Sequence, residues 1–252
     1  MNETFSITFG DQAENHVGMQ KIGVAIASGF SVRELQNVEA QNKELINLTN
    51  QLPMELREGN EAAILIIRGG IANADSILAE LKRLNYDKKA KMRGRVVNKS
   101  ARWNLCLSDF EQEADYEEGK GRVVNFAQIP ECNKLRISLP GLLGAKADQL
   151  QGEINYYYDV SSCGIGFHGD AERKIVVCAR LGASMPLVYQ WYQRSCPVGQ
   201  PVRLMLNHGD LYVMSEKATG CDWRKKIICT LRHAAGAEKY LLPKKPKESK
   251  KE

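Results

Sequence analysis

The sequence predicts an α+β protein in which amphipathic helical segments precede a jelly-roll-like antiparallel barrel, and three observations predict it. From about residue 155 onward, short apolar, β-rich runs recur between turn residues, at Arg173–Gly182, Met185–Gln193, Pro201–Asn207, Asp210–Glu216 and Lys225–His233. Upstream, apolar residues follow helical rather than strand spacing in two stretches. Finally, 252 residues with 43% hydrophobic and 26% charged content can bury a sizeable core in one large domain, and the composition is far from that of a disordered chain.

Residues 1–60 read as an N-terminal extension. After a mixed opening, Ser31-Val-Arg-Glu34 has capping-box spacing ahead of Leu35, Val38, Leu45, Leu48 and Leu52, which predicts one amphipathic helix ending near Pro53. Ala62–Ile67 is a short β-branched run closed by Gly69-Gly70, and Asn73 opens a second amphipathic stretch through Ile77, Leu78, Leu81 and Leu84. Strand, turn and helix follow in that order. The segment Lys82–Lys99 holds eight Lys or Arg against one acid, Asp87, and leads into Arg102-Trp103-Asn104, whereas Asp109–Glu118 carries six acids and no base. This charge swing predicts surface loops over a site. The C-terminal stretch 241–252 is basic with little to bury and predicts a disordered tail.

Net charge is +5, which permits an anionic partner without requiring one. Seven cysteines form an odd set with no C-x-x-C pair, so they predict reduced, mostly buried thiols and argue against structural zinc. The longest apolar runs are too short to span a bilayer and the N-terminus lacks a signal-peptide layout, which predicts an intracellular protein, cytoplasmic or nuclear. Asp11, Glu14 and His16 superficially suggest a metal site, but in a polar segment they read as surface solvation.

Chemistry concentrates in Gly166-Phe167-His168-Gly169-Asp170. An H-x-D pair puts an imidazole and a carboxylate on one side of a strand end, where both can bind one metal ion. Alone the pair is a weak signal. Its context is Arg173–Gly182, Met185–Trp191, Arg203–Met214 and Thr230–Gly236, and with these the chain resembles the AlkB family of Fe(II)- and 2-oxoglutarate-dependent oxygenases. The resemblance covers roughly 60–240 and is strongest over 153–236.

The resemblance implies a double-stranded β-helix core over 61–240 with helices from the N-terminal segment packed on it. It makes His168 and Asp170 two legs of a 2-His-1-carboxylate triad holding Fe(II). It assigns 2-oxoglutarate to Asn155 and to Tyr157 or Tyr158. The family's last strand carries two basic residues six apart, which fall here on Lys226, for the distal carboxylate, and Arg232, near the metal-bound end. With strand period two, Lys226, Ile228, Thr230 and Arg232 all face the barrel interior and His233 faces outward. The family's third metal ligand is a histidine in the loop after Met214, and Ser215–Arg224 contains none. Asp222 is the nearest substitute, with His233 and His208 as alternatives. A substrate lid over about 88–126 would use Arg93, Arg95, Trp103 and Asn104, with nucleic acid met through the basic segment 82–103. The implied activity is hydroxylation or dealkylation of a nucleic-acid base; the alternatives are an oxygenase acting on a protein side chain or small molecule, and an inactive binding module.

Overall fold

The computed structural model describes residues 2–243, so 244–252, most of the predicted basic tail, lie outside the described residues. In chain order the elements are β1 (Thr4–Gly10), β2 (Gln12–Glu14), β3 (Lys21–Gly23), α1 (Val32–Gln36), β4 (Lys43–Asn47), β5 (Ala63–Ile67), α2 (Ala74–Leu81), β6 (Lys89–Met92), β7 (Arg95–Asn98), β8 (Trp103–Ser108), β9 (Val123–Asn125) and α3 (Pro130–Leu143). The C-terminal half adds β10 (Gln151–Tyr157), β11 (Gly164–His168), β12 (Val176–Gly182), β13 (Met185–Gln193), β14 (Cys196–Leu206), β15 (Leu211–Met214), α4 (Glu216–Thr219), β16 (Thr230–Gly236) and α5 (Glu238–Leu241).

Two sheets hold the site. The larger has the order β4-β5-β15-β12-β1-β10-β8-β9, antiparallel except for the parallel β8–β9 pair, and the smaller has the order β11-β16-β13-β14. From β10 onward the chain alternates between them: β11, β13, β14 and β16 join the small sheet, and β10, β12 and β15 join the large one. Strand alternation sorts side chains onto two faces. Ile64, Ile66, Cys178, Leu187, Tyr189, Trp191, Tyr212, Met214 and Leu231 form the core between the sheets. Phe5, Ile7, Phe9, Leu65, Val177, Ala179 and Leu181 pack on the other face of the large sheet, against Ile77 and Leu81 of α2 and Leu135 and Leu139 of α3.

The mixed α/β class matches expectation, but the N-terminal segment does not. β1 is no outer extension: it is hydrogen-bonded between β10 and β12 through the middle of the large sheet. The helix predicted from Ser31 to Pro53 is cut short. The Ser31/Glu34 capping box forms, yet α1 ends at Gln36, because Lys43–Asn47 satisfies its backbone by pairing with β5 instead. Leu48 and Leu52 then drop into the inter-sheet core. Helix α3 is the long helix that residue spacing did not flag; Pro130 opens it, and Pro140 lies inside it. Within the expected lid, Trp103–Ser108 is a strand of the large sheet, and Asp109 of the acidic run is held by Arg136 at 2.6 and 2.8 Å. All seven cysteines are free, five of them buried.

Candidate metal centre

His168 ends β11, and the chain turns sharply at Gly169 to present Asp170. The turn needs glycine because it runs directly under Gly220: a Cβ at Gly169 would stand 2.1 Å from the Gly220 carbonyl oxygen. Gly220 is itself the left-handed cap of α4, with φ +70°. The crossing is pinned where the Asp170 amide donates to the Thr219 carbonyl at 2.9 Å. β16 runs beside β11, opposes His168 with His233, and packs the two imidazoles edge to face with ring centres 4.5 Å apart.

The third member of the cluster is therefore His233. One ligand atom from each of His168, Asp170 and His233 lies within 4.8 Å of the others. The two Nε2 atoms stand 3.7 and 3.9 Å from Asp170 Oδ1, too far for hydrogen bonds, and the carboxylate accepts no hydrogen bond among the described residues. His168 Nδ1–H donates to the Gly166 carbonyl at 2.9 Å, which leaves the Nε2 lone pair facing Asp170. Burial dominates the electrostatics: it lowers His168 to about 4 and His233 well below the usual imidazole range, and raises Asp170 to about 8. Two neutral imidazoles and a buried carboxyl group thus converge with no hydrogen bond among them. That donor set fits a divalent cation, and a 2-His-1-carboxylate arrangement is one that ferrous ions occupy.

The cluster opens onto a cavity of about 130 Å³ between the sheets. Ser6 and Thr8 of β1, Glu153, Asn155 and Tyr157 of β10, Arg180 of β12, Tyr212 of β15 and Arg102 line it together with the three cluster residues. Asn155 and Tyr157, expected from sequence, thus share the chamber with His168 and Asp170. Asn155 Oδ1 accepts from Arg102 Nε at 2.5 Å and from Asn104 Nδ2 at 2.7 Å, so Asn104 is a buried brace rather than a lid residue.

Other expected residues fall elsewhere. Asp222 is not beside the cluster; its carboxylate takes Lys217 Nζ at 2.7 Å. His208 is also apart, accepting the Gly182 amide at 3.0 Å through Nδ1 and facing Asp75 through Nε2. The expected facing of the last strand is reversed. Leu231, His233 and Ala235 oppose Trp191, Tyr189 and Leu187 and share their inward face, so Arg232 points outward, with its Cζ 4.1 Å above Tyr192 and 5.4 Å from Trp223. Lys226 precedes the strand and is exposed. Adjacent strand positions face opposite ways, so putting Arg232 inside necessarily put His233 outside. Tyr158 likewise points away from the cavity, donating to the Ser100 carbonyl at 2.5 Å and packing on Trp103. Trp103 lies under Lys88 Nζ at 4.2 Å, and Arg93 and Arg95 are exposed on the β6–β7 hairpin. Asp11 braces backbone, its carboxylate accepting the Lys174, Ile175 and Ile26 amides, while Glu14 and His16 reach the cavity rim.

Arg180 and the β1 pair Ser6/Thr8 are cavity residues that the sequence reading does not single out, and Arg102, read there as part of the basic segment, also lines the cavity. A signal existed for Arg180: it is a lone cation in phase with Val176 and Cys178 within the apolar run Ile175–Leu181.

Among the described residues, no helix is long and apolar enough to cross a membrane. No family model matches the chain. It is 46% identical over 251 residues to an uncharacterized protein of Acanthamoeba polyphaga mimivirus, an alignment covering 96% of this chain and 98% of that one. The chain belongs to the same family as this mimivirus protein.

Proposed function

We propose that the chain is an Fe(II)- and 2-oxoglutarate-dependent oxygenase with an AlkB-like double-stranded β-helix. The observation that carries the reading is the convergence of His168, Asp170 and His233 on one point at the wall of an inter-sheet cavity. The strand alternation supports the fold assignment: β10 to β16 follow the back-and-forth course of a double-stranded β-helix. In this reading β1 fills the large-sheet slot of the closing strand, between β10 and β12. The loop after Met214 needs no histidine of its own, because β16 supplies His233, which removes the motive for the inactive-module alternative.

When bound, Fe(II) would supply dioxygen-dependent chemistry in which one oxygen atom of O2 ends in the succinate formed, with carbon dioxide, from 2-oxoglutarate and the other hydroxylates a C–H bond; on an N-methyl group the hydroxymethyl product would lose formaldehyde. His168, Asp170 and His233 would hold the ion. Gly166 orients His168 through its carbonyl, Tyr157 and Leu187 wall the chamber, and the sheets exclude bulk water.

A nucleic-acid base is the preferred substrate class. Its support is the partly exposed aromatic cluster of Trp103, Tyr156 and Tyr158 beside the basic segment, with Lys88 over Trp103, a combination suited to stacking and phosphate neutralisation. The test is anaerobic titration of wild type and His168→Ala with Fe(II) and 2-oxoglutarate, followed by oxygen and measurement of succinate. Wild type forms succinate and the variant does not; equal inertness of both, with no metal bound, rejects the reading. Binding to single-stranded oligonucleotide should fall steeply with added salt, whereas salt-independent binding would favour a protein or small-molecule substrate.

A further inference from the structure

The inner face of the large sheet carries polar residues in two adjacent rows. Register sets Asn104, Asn155, Ser6 and Arg180 side by side across β8, β10, β1 and β12. It sets Glu153, Thr8, Cys178 and Tyr212 side by side across β10, β1, β12 and β15. The rows are two residues apart, about 6.7 Å along a strand. The Glu153 row lies toward the metal cluster, because Arg173, three residues beyond Asp170, bonds Glu153. Arg180 stands one row further from it.

Arg180 is 1% exposed, and its Nε and Nη1 have no hydrogen-bond partner among the described residues. No described carboxylate forms an ion pair with it, although the Arg180 amide donates to the Asp210 carbonyl at 2.9 Å; the Asp210 carboxylate is spent on Arg68 and on the Gly69 and Asn207 amides. A buried guanidinium without a counter-charge costs several kcal/mol in an apolar interior. The group lines the same cavity as the metal cluster, beside Ser6, Tyr157 and Tyr212.

We propose that Arg180 is the carboxylate anchor of this cavity, and that it grips the far end of a small dicarboxylic acid whose near end faces His168, Asp170 and His233. Resting on the oxygenase reading, that acid is 2-oxoglutarate. Arg180 and the cluster line one cavity without being in contact, which leaves the space between them to the ligand, and a guanidinium fork suits a carboxylate bidentately. The anchor is thereby moved from Lys226 and Arg232, which point elsewhere, to β12.

The test is calorimetric titration of the protein, once loaded with Mn(II) and once treated with chelator, using 2-oxoglutarate and 2-oxopentanoate, which lacks the far carboxylate. Wild type prefers 2-oxoglutarate by roughly ten- to a hundredfold, the value of a charge-assisted pair. In Arg180→Met the preference falls to about one while the affinity for 2-oxopentanoate holds; Arg180→Lys retains part of it and serves if the Met variant does not fold. Preference that survives in Arg180→Met and disappears in Arg102→Met, or a wild type that binds neither acid, overturns the assignment. The metal reading is judged separately. If Mn(II) tightens neither ligand while the preference still depends on Arg180, the anchor stands and the metal centre falls; if Mn(II) tightens both and Arg180→Met leaves the preference intact, the reverse holds.

Discussion

Asp170 is the carboxyl group of the cluster, and burial governs its ionisation. Burial holds its carboxyl at about 8, far above the ordinary aspartate range, between two imidazoles that are themselves neutral. A folded-state value raised this way gives metal-free protein stability that is present at low pH and lost as pH rises through about 8. His168 and His233, both lowered by burial, work in the opposite sense below the usual imidazole value, so the Asp170 effect stands alone above about pH 6.5. The melting temperature of chelator-treated wild type should therefore fall between about pH 6.5 and 8, and Asp170→Asn should flatten that slope; an unchanged slope in the variant would remove the burial argument. Gly169 acts through space rather than charge. Gly169→Ala, with no room under Gly220, should weaken metal binding at least tenfold, on the order of the 10–100-fold seen when support around a ligand is lost. At Gly166 the nearest atom to an added Cβ is 3.9 Å away, so Gly166→Ala should leave metal binding unchanged when both variants are titrated side by side.

Among the elements, β1 and β16 matter most, and each shows why the sequence was only partly legible. The H-x-D pair could be read because both residues lie five or fewer positions from a strand end and act together locally. Asn155 and Tyr157 could be placed on the same wall because alternation within one strand is local too. The facing of β16 was not legible, since it depends on which residues β13 sets opposite: Tyr189 and Trp191 fix His233 and Leu231 inward, and nothing within Lys225–His233 encodes that pairing. β1 was illegible for a related reason. Its alternation of Phe5, Ile7 and Phe9 with Ser6 and Thr8 is a strand pattern, but only long-range pairing to β10 and β12 reveals a central position. Truncating Ile7, fully buried beneath that sheet, to alanine should cost about 2–5 kcal/mol in denaturant unfolding, as core deletions do. A cost near zero would mean that β1 is a peripheral strand.

Over the described residues, two sheets flank a small chamber with three metal-type ligands on its wall and a guanidinium among its lining residues that has no ion-pair partner there. Trp103 and Lys88 lie outside that chamber. The proposed metal centre depends on β16 delivering His233, rather than the loop delivering Asp222. Mn(II) binding followed by electron paramagnetic resonance tests this directly in wild type, His233→Ala and Asp222→Ala. Wild type and Asp222→Ala should bind one ion with the same affinity, while His233→Ala loses it; loss in Asp222→Ala with retention in His233→Ala would contradict the account.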